Sequence, residues 1–164
     1  IQALQGKPVK RVLVFNPGQG HVPVALWKLF EPHTMGLVDR DLLSLRYAKR
    51  NLALNGCPDT HITLSHQVGM QSQNDAPFRN STPLLNGAPA DLIAGILRES
   101  EGPEAVALTV KQAVEYLTPK GTLLVSGGST AVTRLVDVLQ AEKKIRIQKR
   151  KRNKGKSLLV LVRR

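Results

Sequence analysis

Short apolar segments alternate with stretches of helical periodicity along most of this chain, and the alternation constrains the fold more than any other feature. Strand-like runs of β-branched and apolar residues occupy 11–15, 35–38, 61–65, 90–94 and 122–126. Apolar residues recur at helical spacing over 22–30, 42–54, 103–117 and 130–139. Strands that are joined through such helices pair in parallel, because each helix returns the chain to the same end of the sheet. The pattern therefore predicts an α/β domain with a mostly parallel sheet.

The C-terminal end departs from this alternation. Residues 145–150 alternate apolar and basic side chains, 153–156 read Asn-Lys-Gly-Lys, and 157–162 are strand-like again. No helix fits between these two strands, so they are predicted to pair antiparallel as a hairpin. Residues 67–89, which are rich in Gln, Asn, Ser, Pro and Gly, are predicted to form a long loop.

Length and composition suit one domain over residues 1–164, since the chain is 41% hydrophobic. The single cysteine, Cys57, excludes an internal disulfide, and no histidine has metal-ligand spacing, so no metal is expected. The apolar runs are too short to cross a bilayer and no signal peptide is visible, which favours a cytoplasmic protein without a membrane partner. The chain begins with Ile1 rather than Met, which indicates an excised piece whose partner domain would be missing.

The first predicted strand runs into a turn that contains two glycines. Residues 12–20 read Val-Leu-Val-Phe-Asn-Pro-Gly-Gln-Gly, and the second strand is followed by Asp39. Glycines at such a turn let the backbone approach a nucleoside, and an acid after the next strand accepts hydrogen bonds from ribose hydroxyls. Gly18 and Gly20 also fit an ordinary strand-to-helix turn. Asp39 also fits a helix N-cap, for which Asp41 is the better candidate if Asp39 holds a ligand.

Taken together, these segments resemble the class I methyltransferases that use S-adenosylmethionine, over nearly the whole chain. Their first motif, hydrophobic-hydrophobic-Asp-hydrophobic-Gly-x-Gly-x-Gly, corresponds to residues that end at Gly20, with Val14 in place of the acid and Asn16 in place of the first glycine. Residues 48–56, Ala-Lys-Arg-Asn-Leu-Ala-Leu-Asn-Gly, resemble the A-x-x-N-x-x-x-N-G segment of RNA and protein methyltransferases. Residues 119–123 resemble the family's turn before the fifth strand. Within the class, the chain is most similar to the small-subunit ribosomal RNA guanine-N2 methyltransferases.

The resemblance implies a three-layer, Rossmann-like methyltransferase fold, in which a seven-stranded sheet carries its last strand antiparallel. It implies S-adenosylmethionine as cofactor and ribosomal RNA as substrate. The cofactor-binding residues it implies are Asn16, Gly18, Gly20, Asp39 and His66. Among these, Asp39 would bind the ribose, and His66 stands where the family often has an acid that meets adenine; a plain surface histidine is the other interpretation.

The chain departs from that ribosomal RNA group after the fourth strand. The group carries Asn-Pro-Pro-Phe or a close variant there, which orients the amine that accepts the methyl group, whereas residues 91–99 read Asp-Leu-Ile-Ala-Gly-Ile-Leu-Arg-Glu. Positioning supplies most of the rate in methyl transfer, since the sulfonium is already activated. Arg98 and Glu99 are therefore the candidate catalytic residues. The alternative is a catalytically degenerate methyltransferase-fold module that binds RNA or has a structural role.

The formal net charge is +12, and residues 143–164 contain eleven basic residues and no acid. Such a surface favours a polyanion, either nucleic acid or an anionic membrane, and with the resemblance it predicts RNA as the partner. The candidate phosphate contacts are Lys149, Arg150, Lys151, Arg152 and Lys154. In a strand, Lys149 and Lys151 face one side while Arg150 and Arg152 face the other. A solvated basic face, or charge that protects an edge strand from aggregation, is the competing interpretation.

Two further functions remain open at this point. A nicotinamide-dependent oxidoreductase is disfavoured because Pro23 stands where the dinucleotide fingerprint needs Gly or Ala, and because the terminal hairpin fits that fold poorly. A methyltransferase for a small molecule or a protein is opposed only by the charge of the chain.

Overall fold

The structure is a computed structural model that describes residues 8–70, 84–98 and 100–164. Most of the predicted loop at 67–89 lies outside the described residues. Within them, the strands are β1 (Arg11–Phe15), β2 (Thr34–Asp39), β3 (Ile62–His66), β4 (Ala90–Ile96), β5 (Leu117–Gly128), β6 (Ile145–Asn153) and β7 (Lys156–Arg163). The α-helices are α1 (His21–Phe30), α2 (Leu42–Leu54), α3 (Pro103–Glu115) and α4 (Ser129–Leu139), and short 3-10 turns lie at Asp59–His61 and Leu84–Gly87.

The strands form one seven-stranded sheet in the order β3-β2-β1-β4-β5-β7-β6. The first five pair in parallel, while β7 is antiparallel to both β5 and β6. The predicted fold class, with its C-terminal antiparallel hairpin, is confirmed. Because the chain passes from β3 back across β1 to β4, the connections diverge on either side of β1. In open parallel sheets, ligands bind at the carboxyl end of such a switch point.

Helices cover both faces of the sheet, which gives the three predicted layers. On one face α3 and α4 pack on the sheet, and the buried residues there include Leu13, Ile93, Val110, Leu123, Leu135 and Leu159. On the other face α1 and α2 pack on β1, β2 and β4, and the buried residues include Val12, Leu26, Met35, Leu45, Ala48 and Leu52. The sheet is therefore held from both sides by apolar burial, the dominant favourable contribution to folding.

The turn after β1 is held by α2. Gly20 has a φ of 96°, and a Cβ built on it would lie 2.8 Å from the Cα of Ala48, so the close approach of the two elements requires glycine. Asn51 Nδ2 donates to the Gln19 carbonyl oxygen at 2.5 Å. Two residues of the family-like segment 48–56 thus contact the glycine turn, and its final Gly56, with a φ of 84°, lies just past the helix end.

Asp41, not Asp39, is the N-cap of α2. Its carboxylate accepts hydrogen bonds from the backbone N–H groups of Leu43 at 2.9 Å and Ser44 at 3.3 Å, and from the Ser44 hydroxyl at 2.9 Å. These bonds, above all the one from the Ser44 side chain, lower the pKa of Asp41. Asp39 is therefore not needed to cap the helix.

The β6–β7 hairpin carries a bulge that decides where its charges point. Lys154 and Gly155, with φ values of 45° and 76°, form a two-residue turn with both residues left-handed, the pattern of a type I′ hairpin. The register between β6 and β7 shifts between Ile147 and Lys149. As a result Arg150 and Arg152 face α4, where both donate to the Thr133 hydroxyl at 2.6 and 3.3 Å. Arg150 and Arg152 thus share one face of β6, as the alternation predicted, and the bulge determines that this is the face toward α4.

Gly18 and Gly20 allow a test of why this turn needs glycine. Both are left-handed, but a Cβ on Gly18 would meet nothing within 4 Å. We expect Gly18→Ala to cost about 1 kcal/mol of unfolding free energy from backbone strain alone, and Gly20→Ala to cost roughly 2 kcal/mol more from the clash with α2. Urea unfolding of the two variants measures this difference. Equal costs would contradict the packing role of Gly20.

Candidate functional site

A cavity of about 450 Å³ opens at the carboxyl edge of the sheet, beside the ends of β1 and β2. This volume lies in the range of small-molecule sites, roughly 300–1,000 Å³. Three parts of the chain line it. The ends of β1 and β2 contribute Phe15, Asn16, Val38, Asp39 and Arg40; the segment after β3 contributes Gln67, Val68 and Gly69; and α3 with the residue two positions before it contributes Glu101, Ala105, Leu108, Thr109 and Gln112.

Asp39 is the acid of this cavity and ends β2. It is 1% exposed, and its Oδ1 accepts hydrogen bonds from the backbone N–H of Asp41 at 2.9 Å and from the Arg98 guanidinium. Its Oδ2 is buried and has no hydrogen-bond partner among the described residues. Leaving a buried charged acceptor unsatisfied costs more than the roughly 1–3 kcal/mol of a neutral group. Oδ2 is therefore an acceptor suited to a ligand donor.

Arg98 lies two residues beyond β4, and its side chain is 23% exposed. It forms an ion pair with Asp39, which spans the end of β1 because β1 lies between β2 and β4 in the sheet. Arg98 is a predicted catalytic residue, and its guanidinium is bonded to Asp39, the predicted ribose acid; the catalytic role stays a prediction. The other candidate, Glu99, lies outside the described residues.

Asn16 follows β1 with a φ of 50° and joins three strand ends. Its backbone N–H donates to the Val38 carbonyl at 2.9 Å, and its side-chain Nδ2 donates to the Ile96 carbonyl at 3.0 Å. It lines the cavity as well. Gly18 and Gly20 are not among the described residues that line it, although they belong to the same turn.

His66 ends β3 next to Asp39 in the sheet register, but its exposed ring donates to the Arg40 carbonyl at 2.9 Å. The residues that follow it reach the cavity instead. Gln67 is fixed there: its backbone N–H donates to the Asp39 carbonyl at 3.0 Å, and its side-chain amide oxygen accepts from the Ser65 hydroxyl at 3.1 Å.

The face of α3 toward the cavity is the part of the site that sequence reasoning missed. Its lining residues are spaced i, i+3, i+4 and i+7: Ala105, Leu108, Thr109 and Gln112. The apolar residues at helical spacing that predict this helix form its core stripe, which includes the buried Val106 and Val110. The available signal was Leu108, an apolar residue outside the core stripe that is 55% exposed.

A second cavity of about 390 Å³ lies near the start of α4. Its lining includes Ser129, Thr130 and Arg134 from α4 and Gly155 from the hairpin turn, and Glu101 borders both cavities. The five predicted phosphate contacts, from Lys149 to Lys154, are all exposed. Of these five, Arg150 and Arg152 reach α4 at Thr133, the residue before Arg134 of the cavity lining.

Possible metal ligands and the Cys57 thiol can be located in the part of the chain that the structure describes. No group of three or more His, Cys, Asp or Glu side chains in those residues is arranged to hold a metal ion. Cys57 is buried after α2, and burial together with the Asp59 carboxylate raises the pKa of its thiol, the opposite of a reactive cysteine. Among the described residues, no helix has the length and apolar character needed to span a bilayer.

Comparison with known proteins shows the fold. No protein-family model and no curated protein matches the chain. A ribosomal protein L11 methylase from Lactobacillus delbrueckii subsp. bulgaricus superposes with a TM-score of 0.74 at 21% identity, over 99% of this chain and 73% of that one. A putative rRNA-methylase from Clostridium thermocellum has a TM-score of 0.70 and 17% identity, over 94% of this chain and 86% of that one. The O-methyltransferase NcsB1 of neocarzinostatin biosynthesis was solved with S-adenosylmethionine. It has a TM-score of 0.68 and 11% identity, over 94% of this chain and 49% of that one. The chain therefore has the Rossmann-like fold of these methyltransferase structures.

Proposed function

We propose that this chain is an S-adenosylmethionine-dependent methyltransferase domain that acts on RNA. The observation that carries the proposal is the buried Asp39, whose Oδ2 has no partner among the described residues and whose cavity suits a small molecule. A carboxylate after the second strand of such a sheet is suited to ribose hydroxyls. A structure with the same fold was solved with S-adenosylmethionine, which supports this choice of ligand.

Different residues of the cavity suit different parts of the ligand. Asp39 accepts a ribose hydroxyl on Oδ2, a charge-assisted hydrogen bond. Val68 and Leu108, which are 67% and 55% exposed in this structure, supply an apolar surface for adenine. Asn16 holds the end of β1 in place through its bonds to β2 and β4. When bound, S-adenosylmethionine supplies a methyl group that its sulfonium already activates, so the protein has to position rather than activate.

The charge of the chain supports RNA as the acceptor. Arg150 and Arg152 face α4, and Arg134 of the same helix lines the second cavity. Arginine side chains that bind phosphates hold and orient a nucleic-acid backbone without reading its base sequence. The structural neighbours are described as a ribosomal protein methylase, a putative rRNA-methylase and an O-methyltransferase, so the fold alone does not choose the acceptor.

A catalytically degenerate module that binds RNA is the second candidate. It is favoured by the absence of Asn-Pro-Pro after β4 and by the ion pair of Arg98 with Asp39. We expect transfer of labelled methyl from S-adenosylmethionine to bulk RNA, measured by scintillation counting after RNA purification. A folded protein that binds the cofactor but labels no RNA would instead support the degenerate module.

Replacing Asp39 tests the cofactor site. We expect S-adenosylhomocysteine to bind the wild-type protein, and Asp39→Asn to weaken binding by at least about ten-fold, because a charged acceptor is lost. Isothermal titration calorimetry measures both. Asp91→Asn is the matched control: Asp91 also accepts two hydrogen bonds, from the N–H groups of Lys10 and Arg11 at 3.0 Å each, but at the opposite edge of the sheet. Absence of binding to a folded wild-type protein would refute the proposal.

The two faces of the hairpin give a second matched pair. Arg150→Gln/Arg152→Gln and Lys149→Gln/Lys151→Gln remove the same charge from opposite faces. We expect the arginine pair to weaken RNA binding more, because it lies next to the second cavity. Each lost phosphate contact should reduce the slope of log K against log salt by about 0.7 to 0.9. Fluorescence anisotropy over a salt series measures the slope. Binding that is independent of salt would contradict an RNA role for this surface.

A further inference from the structure

Only one of the two Asp39 carboxylate oxygens lacks a hydrogen-bond donor among the described residues. Its Oδ1 already accepts from the Asp41 N–H and from Arg98, which occupies both lone pairs of that oxygen. Only Oδ2 is open among the described residues. A ribose presents two adjacent hydroxyls, and the two oxygens of a carboxylate can accept both only if each has a free lone pair. A contact of both Asp39 oxygens with both ribose hydroxyls would therefore require Arg98 to leave Oδ1.

The ion pair is placed so that its side chains can separate while the backbone stays. Arg98 follows Leu97, whose N–H donates to the Ser126 carbonyl at 2.8 Å, and the Arg98 carbonyl accepts from the Glu101 N–H at 3.1 Å. Asp39 is fully buried, whereas Arg98 keeps 23% of its side chain exposed. Arg98 is therefore the member of the pair whose side chain already reaches solvent.

We propose that Arg98 sets the cofactor affinity of this site by competing with the ribose for Asp39. In the free protein Arg98 compensates the buried charge of Asp39, which would otherwise be costly. On binding, Arg98 gives up Oδ1 to the second ribose hydroxyl. The inference rests on the proposed function, since it requires a ligand that carries a ribose. The opposing arrangement is one in which Arg98 stays on Asp39 and itself donates to the ribose.

Replacing the guanidinium separates these two arrangements. Competition predicts that Arg98→Gln binds S-adenosylhomocysteine about ten-fold more tightly than wild type, the size of one charge-assisted hydrogen bond. Arg11→Gln is the matched control, because Arg11 pairs with Asp91 at the other edge of the sheet, at 3.8 Å, and should leave binding unchanged. Calorimetry that shows equal or weaker binding by Arg98→Gln would overturn the inference.

A ligand without the hydroxyls shows whether the gain acts through the ribose. We expect Arg98→Gln to bind adenosine more tightly than wild type and to bind 2′,3′-dideoxyadenosine no more tightly. Both affinities are measured by NMR titration. A general loosening of the cavity would change both ligands alike and would overturn the inference.

A measurement on the wild-type protein covers the case in which Arg98→Gln does not fold. The guanidinium nitrogen resonances of Arg98, assigned by their loss in Arg98→Lys, should show restricted rotation in the free protein. Saturation with S-adenosylhomocysteine should convert them to those of a solvent-exposed arginine. Unchanged resonances in the bound state would overturn the inference. If the folded wild-type protein binds no S-adenosylhomocysteine, the proposed function itself fails, a result that is distinct from all of these.

Discussion

The pairing of β1 with β2 on one side and β4 on the other is the constraint on which the site depends. Val12, Leu13 and Val14 are completely buried, because helices cover both faces of the sheet at this central strand. Strands covered on both faces are apolar throughout, and β1 accordingly occupies an interior position between β2 and β4. The polar ends of three strands are then brought together at one edge. Asn16, Asp39 and Arg98 are distant in sequence and meet only because of this strand order.

Burial makes the Asp39 carboxylate a strong acceptor for a ligand, and it also makes the negative charge costly unless donors surround it. A carboxylate with no exposed surface needs donors, and in this structure the Asp41 N–H and Arg98 supply them to one oxygen only. The exchange proposed for Arg98 would keep that charge compensated in both states, by a guanidinium before binding and by hydroxyls after it. The same pair accounts for the two candidate functions, since a permanent ion pair suits a degenerate module and a displaceable one suits a cofactor site.

The sequence predicted the sheet, the helices and the hairpin because each rests on local periodicity and on turn residues. It also placed Asp39 correctly at the end of β2. It could not predict that Arg98 bonds to Asp39, because that contact depends on β1 lying between β2 and β4. Nor could the sequence show that Gly20 packs on Ala48. The glycine pattern of the turn is the same whether a neighbouring helix or a ligand requires the close approach. The cavity face of α3 could not be predicted, because Leu108 and Thr109 line a site only once α3 packs beside the ends of β1 and β2.

The bulge in β6 links the charge of the hairpin to the acceptor question. If β6 kept all its residues but alternated regularly, Lys149 and Lys151 would share a face with Ile147 and point toward α4; because of the bulge, the arginines do. Arginine offers a planar fork of donors that matches phosphate geometry, whereas lysine offers a point charge. The bulge thus places the stronger phosphate ligands on the side of the second cavity. For a chain that lacks Asn-Pro-Pro, orientation of the acceptor through its backbone phosphates is the physical alternative to orientation at the reacting amine.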